Sequence, residues 1–276
     1  MNTAINAKSV RIRRAAELLL WSRTNRTRLQ GLPADLMPRD LNEGYEIQSA
    51  VTSLRSVPHA GFKIGLTNEA AQRAADTSAP IAGRLGVLDV RRTNSLAELP
   101  ANHLRVIEAE VVFEVGNDLP AAHGPYTEQR VAASLSRAYA GIELCNSRLE
   151  EGPEVTLPCL VADNSNADLI FVGDPLKQAD ITALANLPVT LERRGKPLIQ
   201  GSTASVMGNP LRAVTWLANF LARRGEGLKR GQLICSGSCT GMTQVAPEDA
   251  VVVRFGDEAR VCVEFAVAAE KSEVRE

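Results

Sequence analysis

RVIEAEVVFEVG, residues 105–116, reads as one long β-strand with an acidic face. Side chains on a strand alternate between two faces. Ile107, Ala109, Val111, Phe113 and Val115 therefore share an apolar face, and Glu108, Glu110, Val112 and Glu114 share the other. Same-face neighbours stand roughly 7 Å apart, so ionised carboxylates there repel one another unless solvent or a cation separates them. Two readings follow: a face washed by water, or a wall that holds something positive. A third carboxylate brought in from another element would make a hard oxygen site suited to Mg²⁺ or Mn²⁺.

Outward from this strand, the sequence after residue 60 is built of short apolar runs separated by Gly, Pro and Asn. GFKIGLT, AGIELC, DLIFVG, LPVTLERRG, GQLICSG, AVVVRF and RVCVEF join the first stretch as expected strands. Two helices interrupt them. One is expected from Thr127, as N-cap, to about Ala140. The other is NPLRAVTWLANFLARRG, with Pro210 in its first turn and Gly225 just past its end. Many strands without regular βα alternation predict an α+β fold with a mixed sheet. Residues 1–57 read as an N-terminal helical arm, with helices over roughly 8–24 and 41–56 around the breakers GLPADLMPRD. Residues 58–270 read as a β-rich catalytic domain and 271–276 as a charged tail.

Bulk properties exclude several classes. A formal net charge of -1 with 4% aromatics gives no basic or stacking surface for nucleic acid and no attraction to an anionic membrane. No apolar run approaches the roughly 18 residues needed to span a bilayer. The basic start before AAELLLW fits an amphipathic helix better than a signal peptide. Five scattered cysteines in a chain of 276 residues read as reduced thiols of a cytoplasmic protein. The pair Cys235-x3-Cys239 lacks the partners of a zinc site.

The candidate third carboxylate is Glu143, flanked by Ile142 and Leu144 in a run otherwise built to be buried. A glutamate in that setting is costly without a partner. With Glu108 and Glu110 it favours the wall that holds a cation over the face washed by water. Lys63, between Phe62 and Ile64, reads from the residues alone as a snorkelling surface lysine.

Taken in order, GFKIGLT, IEAEVVFEVGNDLP, GIELCNSRLE, VADNSNADLIFVG and MGNPLRAVTWLANFLARRGEGLKRGQLICSGSCTG resemble the 2-keto-4-pentenoate hydratase family. That family lies within the fumarylacetoacetate hydrolase superfamily and includes 4-oxalocrotonate decarboxylases. The resemblance spans about residues 7–266. It implies a mixed β-sheet roll enclosing the site, with helices at the N-terminus and outside. It also implies a divalent metal, Mg²⁺ or Mn²⁺, on Glu108, Glu110 and Glu143, the residues reached above.

By the same resemblance Lys63 is catalytic, pairing with a substrate carboxylate or relaying a proton. Ser165 and Leu66 are substrate-binding, although Ser165 also reads as a turn residue and Leu66 as plain core. The implied partner is a small 2-oxo acid or dienoate, in a homo-oligomer that associates with a pathway enzyme. The leading expectation is a hydratase adding water to a 2-hydroxy-2,4-dienoate. A 4-oxalocrotonate-type decarboxylase, an acylpyruvate C–C hydrolase and a non-catalytic partner subunit stay open. Two departures stand out. Relatives often place an Asp five residues before the Gly of TSAPIAGRL, where this chain has Ser78, with Asp76 the nearest acid. CNSR stands where VDSR is common, which puts Asn146 in place of an acid.

Overall fold

In the computed structural model, which describes residues 2–100, 104–150, 152, 155–176, 181–257 and 259–268, the opening stretch is a ten-residue strand. The chain begins with helices α1 (Asn2–Asn25) and α2 (Leu41–Arg55), then β1 (His59–Gly65), α3 (Glu69–Ala74), β2 (Ile81–Gly86), β3 (Val90–Arg92) and β4 (Ser95–Leu99). Next come β5 (Val106–Val115), α4 (Glu128–Ala132), β6 (Leu135–Cys145), α5 (Leu157–Ala162) and β7 (Ala167–Pro175). The rest is β8 (Pro188–Arg193), β9 (Ile199–Ser202), α6 (Pro210–Arg223), β10 (Leu233–Ser238), β11 (Thr243–Gln244), β12 (Ala250–Phe255) and β13 (Ala259–Val267). The tail expected over 271–276 and the end of the expected catalytic domain lie outside the described residues, as does His103.

One expected helix is corrected. Thr127 caps as read, its side chain accepting from Arg130 N, but α4 stops at Ala132 and the chain turns into strand by Leu135. Local helix propensity over SLSRAYA yields to pairing: β6 aligns antiparallel with β5 from Val106↔Cys145 to Val115↔Leu135. The strands β2, β3, β4, β9 and β11, absent from the sequence reading, are short or carry too little alternation to announce themselves.

The larger sheet has eight strands in the order β2-β1-β10-β5-β6-β7-β3, with β11 on β5. Its two end strands are joined by only Val87–Asp89. So short a link forces the sheet to curl until its ends approach, giving the mixed half-barrel of an α+β fold. Outside the curl lies the main core, where Ile107, Ala109, Val111, Phe113 and Val115 meet α6 residues such as Val214, Leu217 and Leu221 and the five-stranded sheet β4-β13-β12-β8-β9. Inside is a smaller cluster of Leu85, Val112, Ala167, Ile170, Val172 and Cys235. The two faces of RVIEAEVVFEVG therefore serve two different interiors.

β2 is a sheet edge whose open backbone groups are met by side chains, which blunts it against strand pairing. Ala82 N donates to the Tyr45 hydroxyl, and Ala82 O accepts from Gln48 Nε2 and Ser165 Oγ. Asn164 accepts from Arg84 N and donates to Arg84 O, as a neighbouring strand would. The loop after β6 is fixed by Arg148, whose Nε lies 2.5 Å from Asp163 Oδ1 and whose Nη2 donates to Asp163 O, both residues buried. α1 and α2 bury Ala15, Leu19, Ile47 and Val51 against Leu32, Leu36, Leu149 and Cys159, a core separate from the main one.

Candidate metal centre

The β5–β6 register decides which acids meet. Glu108 pairs directly with Glu143, Glu110 with Gly141, and Val106 with Cys145. Directly opposed residues on an antiparallel pair point to the same face, so Glu108, Glu110, Glu143 and Cys145 all line the inside of the curl. From the other side, Lys63 on β1 pairs with Cys235 on β10, which in turn pairs with Val112. Lys63 thus enters the same interior. Glycine makes room for it: a Cβ at Gly83, its partner on β2, would stand 3.0 Å from Lys63 Cγ.

Glu110, Glu143 and Lys63 are buried and Glu108 is half-buried. Lys63 Nζ lies 3.4 Å from Glu143 Oε1, an ion pair rather than a formed hydrogen bond. Neither oxygen of Glu143 has a hydrogen-bond donor, and neither does Glu110 Oε1. Glu110 Oε2 accepts from Gly237 N at 2.9 Å. That donor is available because a bulge in β10 between Cys235 and Ser238 puts Gly237 at φ +114, with Thr67 packed where a side chain would begin. Within 4.8 Å of one another stand ligand atoms of Glu108, Glu143 and Cys145. Cys145 Sγ is 3.8 Å from Glu108 Oε2, a thiol contact onto the carboxylate.

The charges are tuned by this crowding. Burial, then the carboxylates of Glu143 and Glu108, push the Glu110 carboxyl well above its ordinary range. Burial raises Glu143 to about 7, with Lys63 opposing. For Lys63 burial works against the ammonium, and Glu143 with Glu108 and Glu110 outweighs it, so its pKa is raised. Burial, then Glu143 and Glu108, also raises the Cys145 thiol.

These residues fit a divalent cation. Once their protons are displaced, three carboxylates against one ammonium carry two net negative charges, which one such ion offsets. The orphaned oxygens of Glu143 and Glu110 are buried acceptors of the kind that cost about 1–3 kcal/mol each when left unmet. The donors are mostly hard oxygen, the set preferred by Mg²⁺ and Mn²⁺.

Comparison with known proteins agrees with this chemistry. The family described as fumarylacetoacetate (FAA) hydrolase C-terminal matches residues 100–271, more than half of the chain. The chain belongs to the fumarylacetoacetate hydrolase family. Within it, the chain is 30% identical to a 2-keto-4-pentenoate hydratase of Paraburkholderia xenovorans (strain LB400) over 82% of this chain and 84% of that one. It is 32% identical to a 4-oxalocrotonate decarboxylase of Pseudomonas sp. (strain CF600), over 77% and 81%. The structure superposes with TM-score 0.82 on 4-oxalocrotonate decarboxylase from Pseudomonas putida G7, complexed with magnesium and adipate. That likeness covers 92% of this chain and 97% of that one at 27% identity. The hydratases and decarboxylases of this family are thus its kin, and the mixed roll expected from the resemblance is the fold observed.

In this member of the fumarylacetoacetate hydrolase family the remaining expected positions are placed as follows. Ser165 is buried, with φ +53 between Asn164 and Asn166, which share the left-handed conformation, and its hydroxyl is spent on Ala82 O. Leu66 follows β1 with φ +56 and packs half-buried against the main core, while its carbonyl accepts from Gln72. Glu114 is half-buried and accepts from the Tyr139 hydroxyl at 2.6 Å, at the far end of the acidic face. Ser78 and Asp76 are both exposed. Asn146 accepts from Leu104 N and serves the loop rather than the acids. His59 lies at the other end of β1, in a cleft of about 980 Å³ with Arg84 and Lys229, and His123 is exposed. Burial, then Arg84, lowers His59 to about 4. Among the described residues no helix is long and apolar enough to cross a membrane.

Two contributors escaped the sequence reading. Cys145 follows Glu143 at the same-face spacing, a signal that was present. Gly237 sits in a small-residue strand end, where a glycine marks a bulge or a close backbone approach.

Proposed function

We propose that this chain is a divalent-metal-dependent hydro-lyase that adds water to a 2-hydroxy-2,4-dienoate to give a 4-hydroxy-2-oxo acid. Glu108, Glu110 and Glu143 would hold the cation, and residues 58–270 form the catalytic part behind the N-terminal helical segment of 1–57. When bound, a divalent ion supplies Lewis acidity toward the carboxylate and C2 oxygen of an α-oxo acid. The observation that carries the reading is the buried Lys63 ammonium, 3.4 Å from Glu143 and on the same interior face as the other acids.

Lys63 would pair with the substrate carboxylate or deliver a proton as the dienol becomes the oxo form. Leu66 would wall the pocket. Ser165, by holding Ala82, would fix β2 beside Lys63 and present its turn to substrate. Hydration of the dienol places protons on two carbons, one from the enol hydroxyl and one from water, and needs a base for the proton that water loses, whereas release of CO2 sends its electron pair to the C2 oxygen and needs a proton only there. Ammonium and carboxylates standing together support the former. Decarboxylation of an oxalocrotonate-type dicarboxylate is the second reading, favoured by the likeness to the magnesium-bound decarboxylase.

One assay separates them. The purified protein with Mg²⁺ or Mn²⁺ is given a 2-hydroxy-2,4-dienoate and, separately, an oxalocrotonate-type dicarboxylate, while dienoate absorbance and CO2 are followed. Metal-dependent loss of dienoate absorbance without CO2 is expected. Metal-dependent CO2 release from the dicarboxylate alone would replace the hydratase reading with the decarboxylase one. No turnover of either would leave an acylpyruvate C–C hydrolase, then a non-catalytic partner subunit.

A further inference from the structure

Cys145 Sγ stands where a ligand would stand. It is buried, 3.8 Å from Glu108 Oε2, and part of the group with Glu108 and Glu143 whose ligand atoms all lie within 4.8 Å. Two donors on a tetrahedral ion, one oxygen at about 2.1 Å and one sulfur at about 2.3 Å, are themselves about 3.6 Å apart. The sulfur–carboxylate separation is thus already close to that of two atoms sharing one ion. A second observation points the same way: Glu143 is fully buried and neither of its oxygens has a hydrogen-bond donor. The backbone makes the arrangement rigid. Glu143 and Cys145 are same-face neighbours on β6, and both are held in register, opposite Glu108 and Val106 of β5.

We propose that Cys145 makes this centre a mixed carboxylate–thiolate site, which binds thiophilic divalent cations such as Zn²⁺, Cd²⁺ or Co²⁺ through sulfur and holds them in preference to Mg²⁺. With a hard cation the sulfur stays a thiol resting on Glu108, and the carboxylates do the binding. With a soft cation the S–H bond breaks, the proton leaves to solvent and a sulfur–metal bond forms, with no change of oxidation state. The centre then discriminates by ligand softness rather than by size. A practical consequence is that trace Zn²⁺ or Cd²⁺ displaces Mg²⁺ from this protein. The inference rests on the carboxylate centre proposed above, and its test separates the two.

Co²⁺ is titrated into the full-length wild type and into Cys145→Ser and Cys145→Ala, with near-ultraviolet and visible absorbance recorded and circular dichroism confirming that each variant is folded. The wild type is expected to show a sulfur-to-cobalt charge-transfer band that both variants lack, while the visible Co²⁺ bands persist in all three. Competition dialysis is expected to show Cd²⁺ affinity falling by about tenfold or more in the variants, with Mg²⁺ affinity changed far less. Co²⁺ bound identically in wild type and variants without a charge-transfer band overturns the sulfur ligand and leaves the carboxylate centre standing. Failure of the wild type to bind Co²⁺ or Mg²⁺ at all overturns both.

Discussion

Glu108 and Glu143 face each other directly across the β5–β6 ladder, two carboxylates in the register position where like charges repel most. Such a pair is stabilised by whatever positive charge comes between them. Adding Mg²⁺ or Mn²⁺ is therefore expected to raise the thermal unfolding midpoint. Saturation at about a hundred times Kd contributes about 2.7 kcal/mol, a shift of several degrees for a chain of this size. Glu108→Gln should lose most of that shift, as read by differential scanning calorimetry with and without cation.

The same crowding sets a pH dependence. Burial holds the Glu143 carboxyl at about 7, above its ordinary value of 4.5, so the folded protein keeps that proton more tightly than the unfolded chain does. The stability it gives the cation-free protein is complete below about pH 4.5 and is lost as pH rises through about 7. A cation must displace this proton to bind. Apparent Mg²⁺ affinity is expected to rise by at least about tenfold between pH 6 and pH 8, measured by isothermal titration at constant ionic strength. A flat profile across that window would contradict the assignment of Glu143 as a ligand.

Substitution of Lys63 is expected to separate binding from turnover. Lys63→Met keeps the length of the side chain and removes its charge, so the packing against Gly83 is retained. Loss of an ammonium beside the acids should leave cation affinity equal or tighter, because one competing positive charge is gone. Turnover should fall by about 10²–10⁴, the range of general acid–base catalysis. Steady-state rates set beside Mn²⁺ binding read the split. Parallel loss of both would mean that Lys63 only supports the fold.

Arg148 tests the frame around the centre. Its guanidinium meets Asp163 and the Ala167 carbonyl in a buried setting, tying the end of β6 to the turn that carries Ser165. Arg148→Met strands the Asp163 carboxylate and is expected to cost about 3–5 kcal/mol, the penalty of halving a buried ion pair. Chemical denaturation measures it.

The strand that carries Glu108 and Glu110 was legible because alternation is a local property. Ile107 to Val115 announced one face, and Glu108 and Glu110 the other, without reference to anything distant. The isolation of Glu143 between Ile142 and Leu144 was legible for the same reason. What the sequence concealed was register. That Glu143 opposes Glu108, and that Cys145 comes to rest on Glu108, depends on pairing across residues far apart in the chain. The expected helix to Ala140 failed on this point, since β6 owes its state to β5 and β7 rather than to its own propensities. Gly237 was hidden likewise, because its role is carried by a backbone N–H and not by a side chain. Ser78 in place of an expected acid remains a departure in the sequence, and the structure leaves both it and Asp76 exposed.

The proposed centre holds one divalent cation among its buried acids. Its most direct test is Mn²⁺ binding followed by electron paramagnetic resonance on the wild type and on Glu143→Gln, each checked for folding by circular dichroism. One tightly bound Mn²⁺ per wild-type chain is expected, with a loss of at least about a hundredfold in affinity for the variant, beyond the range seen for many outer-sphere changes. Stoichiometric, undiminished Mn²⁺ on folded Glu143→Gln would contradict it.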